Sequence, residues 1–387
     1  MRLRAQILAI LTLPGLACST DTAARAEAPG QRPHAVEVTP AASPAPDPVV
    51  APVRTARPDT VRGLYVNRWA ALGRKVWQLL DVARTTEVNT LVIDVKDDRG
   101  LVLYRSRVPL AQEIGADTVH PMPPTRFRTL MDSLRAHRVY TIARIVVAKD
   151  PLLAEQRPAW AIMKKGSAAE PWRDRAGRPW LDPTHPEVWQ YAADLALEAV
   201  EQGLDEVQFD YVRFPDEDRI VREGRYAKLE GRVRAQVIRD QITVLCALVR
   251  PTGVPCTIDV FGLTATDSTD MGIGQRWESF IDAADVVLPM VYPSHYAPGT
   301  YKLSNPNAQP YATIAQSIKD MKRRSAGIAG AARIVPWYQD FTLGPPRYGP
   351  RQVRAQIQAG EDNGIPDWIL WNPGSRYSVE AFRPETP

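Results

Sequence analysis

Polar and aromatic side chains recur where the β-rich runs of this 387-residue sequence end, and at several of these ends an acidic residue stands among them. The densest case is Gln208-Phe209-Asp210-Tyr211-Val212-Arg213-Phe214-Pro215, in which Asp210 closes an apolar run and Pro215 stops it. Asp259 ends the next run, in Asp259-Val260-Phe261-Gly262, and Asp94 ends an earlier one, in Asp94-Val95-Lys96-Asp97-Asp98. Two carboxyl groups about 5 to 9.5 Å apart can cleave a glycosidic bond, one as proton donor and the other as nucleophile or base. Arg213 is expected to keep Asp210 ionised, which suits a nucleophile or base. Asp259, flanked by Phe261 and aliphatic residues, has surroundings that raise a carboxyl pKa, as a general acid needs. Asp94 is the substitute for either role. Each of these residues also has a plainer reading, as a turn cap or an ion-pair partner.

Groups that could hold a sugar recur at similar positions. Lys96, Arg213, Tyr292, His295 and Asn372 can hydrogen-bond hydroxyls, and Trp337 and Trp371 offer flat faces for the C–H side of a ring. Other chemistries lack their parts. The five histidines form no HxxxH or HExxH pair, and GxSxG and GxxxxGK[ST] are missing. No cofactor and no metal is therefore expected. The formal charge of +4 is small and its signs are interspersed, so no nucleic-acid-binding face is expected.

These residues need elements to position them. Short β-rich runs occur at Gly63–Asn67, Thr90–Asp94, Tyr140–Val146, Glu206–Asp210, Cys256–Val260, Val286–Met290, Ile334–Trp337 and Trp368–Trp371. Segments with apolar residues three and four apart lie between them, for example Val188, Tyr191, Ala192, Leu195 and Ala199. Eight strands alternating with helices predict a (β/α)8 TIM barrel, in which strand C-terminal ends carry the site. A doubly wound sheet is the alternative, but no glycine-rich turn follows the first strand. Two long connections, Val95–Pro124 and Val147–Pro183, belong on the same face. Trp160, Trp172 and Trp180 in the second either line a groove for a polymer or pack the loop onto the barrel.

Arg2 and Arg4 precede an apolar run from Ile7 to Leu16, the pattern of an export signal. Leu16-Ala17-Cys18 suits a lipoprotein signal over residues 1–18 with Cys18 lipidated, although Gly15 stands where Leu is usual. Cleavage after Ala26 is the alternative, giving a periplasmic or secreted protein. Glu27–Thr60 holds eight prolines and almost no large apolar residue, so residues 19–60 are expected to form a disordered tether and residues 61–387 the folded domain. Membrane contact is expected through the lipid anchor alone. An exported compartment permits a disulfide between Cys246 and Cys256; two small buried thiols are the other reading.

Several segments together resemble a bacterial family of glycoside hydrolase-like barrels known mainly as a domain of unknown function. They are Gly63-Leu64-Tyr65-Val66, Val92-Ile93-Asp94-Val95-Lys96-Asp97, Ala143-Arg144-Ile145-Val146, Gln208 to Pro215, Asp259-Val260-Phe261-Gly262, Pro289-Met290-Val291-Tyr292-Pro293 and Trp371-Asn372. The resemblance implies a glycosidase-type TIM barrel without naming a substrate. Met290-Val291-Tyr292 and Trp371 are also distantly similar to chitinase-like barrels. Val212 or Arg213 stands where those barrels carry a catalytic Glu, which argues against their substrate-assisted chemistry. The expected activity is hydrolysis of an envelope or extracellular polysaccharide. The alternative is a carbohydrate-binding or scaffold protein on a barrel that has lost its chemistry. The two part on whether Asp210 and Asp259 both face an open cleft.

Overall fold

The computed structural model describes residues 53–385. The expected signal segment, Cys18, the alternative cleavage point and the first part of the tether lie outside them. Eight parallel strands form the body: β1 (Arg62–Val66), β2 (Thr90–Lys96), β3 (Tyr140–Val146), β4 (Glu206–Asp210), β5 (Cys256–Phe261), β6 (Val286–Val291), β7 and β8 (Trp368–Trp371). β7 is split into Arg333–Ile334 and Trp337–Gln339. Pro336 lies in the gap and cannot donate to the ladder, although its carbonyl still accepts from Ile369. Each strand pairs with the next, and β8 pairs with β1, so the sheet closes into the (β/α)8 barrel.

Helices cover the outside, among them Lys75–Thr85, Pro124–Ala136, Pro186–Glu201, Arg234–Val249, Pro310–Ser325 and Pro350–Asp362. Between β5 and β6 the helix shrinks to Trp277–Phe280. The period-2 geometry of a strand sorts the side chains. Outward residues such as Leu64, Ile93, Val207, Phe209 and Ile258 form one core with the helices. Inward residues such as Tyr65, Val92, Ile142, Leu288, Trp337 and Ile369 form a second core inside the barrel. Each large aliphatic buried this way contributes roughly 1.5–3 kcal/mol. Cys246 on the helix before β5 is disulfide-bonded to Cys256 at the start of β5, which resolves the open reading of these cysteines.

The tether stops earlier than its composition implies. Residues 53–60 lie against the N-terminal end of the barrel. Arg54 donates to the Thr252 carbonyl, Thr55 N–H to Asp205, and Arg57 to Glu206 at 3.0 Å. The Asp59 carbonyl accepts from Arg333. The folded domain therefore starts before residue 61. At the opposite end, Trp172 and Trp180 are buried with Ala148, Ile162 and Ile220 in a small core of the loops' own. Those two tryptophans fill the loop and do not line a groove. Among the described residues no helix is long and apolar enough to cross a membrane.

Candidate active site

The C-terminal ends of β3 to β8 contribute to a cavity of about 500 Å³, lined by Arg144, Asp210, Asp259, Tyr292, Trp337 and Trp371 among others. β4 reads Glu206-Val207-Gln208-Phe209-Asp210, and its alternation sends Glu206, Gln208 and Asp210 inward while Val207 and Phe209 face the helices. Asp94 and Arg144 are register partners across β2 and β3. Gly262 lets the ends of β5 and β6 approach closely, because a Cβ there would meet the Met290 carbonyl.

Arg144 is the hub. Its guanidinium bonds Asp94 at 2.5 Å, bonds Asp210, and lies 3.8 Å from Asp259. Because one guanidinium touches both, the Asp210 and Asp259 carboxyls lie no more than roughly 9 Å apart, below the upper limit of the separations that glycosidic cleavage uses. The partner expected for Asp210 was Arg213; Arg144 takes that place instead. Arg213 points to the Phe214 carbonyl and to Asp216.

Asp259 is 1 % exposed. It accepts two hydrogen bonds of 2.7 Å from Gln208 and one of 2.6 Å from the Trp337 indole N–H. Burial and the nearby charge of Asp210 push its pKa well above the usual carboxyl value; Arg144, Gln208 and Trp337 pull the other way and lose. Asp94 is also buried and lies beneath the cavity, held by Arg144 and by the Tyr65 hydroxyl at 2.5 Å. Burial raises it to about 6, against the pull of Arg144 and Tyr65. Its position makes it a holder of Arg144.

Tyr292 and Trp371 stack with ring centroids 5.5 Å apart, and Phe341 meets both edge-on. No group among the described residues bonds the Tyr292 hydroxyl. His295 stands against Tyr292 and lines the cavity, with burial lowering its pKa. Trp337 is buried, and its N–H serves Asp259, so it braces a carboxyl more than it offers a face.

Two expected sugar contacts fall elsewhere. β2 bulges between Asp94 and Lys96. Lys96 instead bonds the Val146 carbonyl and Asp150 at 2.7 Å, beside the Tyr191 ring outside the barrel. Asn372 braces its own turn, donating to the Asp340 carbonyl and accepting from Gly374. Asp340 is tied to Ser378. Three residues that stood in the quoted motifs had been given no role in the site: Arg144, Gln208 and Tyr211. The alternation of β4 could have found Gln208. Tyr211 has φ of +55°, a left-handed conformation uncommon for a bulky side chain. Among the described residues no group of three His, Cys, Asp or Glu side chains is placed to hold a metal.

A closed parallel barrel with paired carboxyls and stacked aromatics at its C-terminal mouth has the architecture of a glycosidase-type barrel. The chain belongs to the family described as "putative glycosyl hydrolase domain", whose model matches residues 63–377. A hypothetical protein from Ruminiclostridium thermocellum is 31% identical over 51% of this chain and 97% of its own, with a TM-score of 0.45. The PgaB (BpsB) glycoside hydrolase domain from Bordetella bronchiseptica shares the fold at TM-score 0.56 and 14% identity, over 82% of this chain and 95% of its own. Alpha-L-fucosidase isoenzyme 2 from Paenibacillus thiaminolyticus shares it at 0.50 and 13%, over 83% of this chain and 48% of its own. No curated protein matches the chain.

Proposed function

We propose that this protein hydrolyses glycosidic bonds in an envelope or extracellular polysaccharide, with Asp259 as proton donor and Asp210 as nucleophile or base. The observation that carries the reading is the unlike surroundings of two carboxyls on one cavity. Asp259 lies on the cavity wall between Gln208 and Trp337, almost wholly buried, so burial favours its protonated form. The Asp210 carboxylate is hydrogen-bonded by Arg144 and by the Tyr211 N–H. Asp259 gives its proton to the glycosidic oxygen as the bond to the anomeric carbon breaks. Asp210 either bonds that carbon, for water to displace later, or takes a proton from the water that bonds it. The Tyr292–Trp371 stack offers a face to the sugar. Shared membership of a glycosyl hydrolase-like family supports the same reading. The Cys246–Cys256 disulfide supports an oxidising, exported location, in keeping with a lipid anchor at Cys18.

The test is a panel of polysaccharides assayed for product release with wild type and Asp210→Asn. We expect release by wild type and a loss of at least 1000-fold in the variant, on the scale of removing a group that acts only in the transition state. Unchanged activity in Asp210→Asn would remove that residue from the mechanism.

A further inference from the structure

Arg213 is built into the cavity wall in a way that bracing a loop does not explain. Its guanidinium carbon lies 4.5 Å from the centroid of Phe261, 4.9 Å from that of Tyr211 and 5.2 Å from that of Trp180. The residue is only 4 % exposed, yet it lines the cavity. Both of its protein bonds use one nitrogen, Nη1, which reaches the Phe214 carbonyl at 3.0 Å and Asp216 at 3.2 Å. Nε and Nη2 have no acceptor among the described residues. Neither is sealed away from solvent, as unpaired buried nitrogens elsewhere in the chain are. The open surface to which Arg213 contributes is the cavity wall.

The Nε–Nη2 edge of a guanidinium is a two-pronged donor that matches two oxygens of one anionic group. A neutral hydroxyl takes only one prong. Three aromatic faces hold the cation in place and shield it from water, which strengthens a charge-assisted bond made at that edge. Asp216 does not compete, since it sits on Nη1. It is half-exposed, and such i,i+3 rim pairs contribute about 0–1 kcal/mol. Arg144, the other arginine lining the cavity, is already engaged by three carboxyl groups.

We propose that the free edge of Arg213 reads an anionic substituent, a uronate carboxylate or a sulfate ester, on the sugar seated beside Asp210, so that the substrate is an acidic polysaccharide. This rests on the hydrolase reading and narrows its substrate class. The test is binding of sodium glucuronate, glucose 6-sulfate and glucose to the full chain, followed by calorimetry or ligand-observed NMR. Monosaccharides hold no bond to cleave, so catalysis does not enter. At least one anion should bind tenfold or more tightly than glucose, and the one preferred tells carboxylate from sulfate. Arg213→Gln should abolish the preference. Arg213→Lys, which keeps the charge among the rings without the fork, should reduce it, and it carries the test if the Gln variant misfolds. Anions that bind no better than glucose, or a preference that survives both variants, would overturn the proposal. Product release from neutral polysaccharides alone, lost in Asp210→Asn, would also overturn it and would leave the hydrolase reading standing.

Discussion

Asp94 offers a quantitative test of the electrostatics beneath the cavity. Burial raises its pKa from 3.8 to about 6 in spite of Arg144 and the Tyr65 hydroxyl. Below about pH 4 the group is protonated both folded and unfolded, so it has no pH-dependent effect. Between pH 4 and 6 the folded chain keeps a proton that the unfolded chain releases, so stability falls as pH rises. Above pH 6 the loss is complete, and two pKa units correspond to about 3 kcal/mol. Asp94→Asn does not titrate, while its amide can still accept from Arg144 and donate to the Tyr65 oxygen. The stability of the variant relative to wild type should therefore grow by about 3 kcal/mol from pH 4 to pH 7. For a domain of about 330 residues this is a shift of about 4 °C in the difference between the two Tm values. Calorimetric melts of both proteins at pH 4, 5, 6 and 7 read it directly. A constant offset at all pH values would refute the reasoning, because it would mean that Arg144 and Tyr65 balance the cost of burial. Only the slope is at issue, since losing a charged partner of Arg144 adds an offset that does not depend on pH.

Other perturbations test other parts of the molecule. Trp337→Phe keeps a buried ring but removes the N–H that stabilises ionised Asp259; its pKa should rise, and the basic limb of the pH–rate profile should move to higher pH. An unmoved limb would assign the acid to another group. Arg57→Met leaves Glu206 buried, with burial already raising its pKa and its cation gone. It should cost about 3 kcal/mol at pH 7, and the cost should shrink as pH falls and Glu206 protonates. Equal losses at pH 4.5 and pH 7 in urea melts would count against that pair. Replacing Cys246 and Cys256 together by Ser frees a loop of sequence separation 10 and should cost about 3 kcal/mol. A reduced wild type that unfolds at the same urea concentration as the oxidised one would argue against it.

The barrel was legible because its strands announce themselves locally. Apolar runs such as Thr90–Lys96 and Tyr140–Val146 are buried on both faces, and the helical spacing between runs follows from the need to cover them. The site was legible only in outline. Strand ends marked Asp210 and Asp259 as neighbours of one mouth, but pairing across strands depends on register, which a linear motif does not carry. Arg213, three residues from Asp210, looked like its partner. After the left-handed residue Tyr211, Arg213 lies against Phe261, and Arg144, 66 residues away, reaches Asp210 from the neighbouring strand. Lys96 misled for a similar reason. Without the bulge it would share the inward face of Asp94, and a bulge of one residue has no composition of its own.

The left-handed turn at Tyr211 sets stability against recognition. A bulky residue there costs roughly 1–2 kcal/mol that glycine would not incur. In return, the tyrosine ring packs edge-on against Trp180 and forms one wall of the Arg213 cage. Glycine at this position would relieve the backbone and open that wall, losing the contacts with Trp180, Lys149 and Arg213. An engineer seeking a hardier variant should hold residue 211 fixed and look for gains on the helical exterior, where no side chain lends its strain to the cavity.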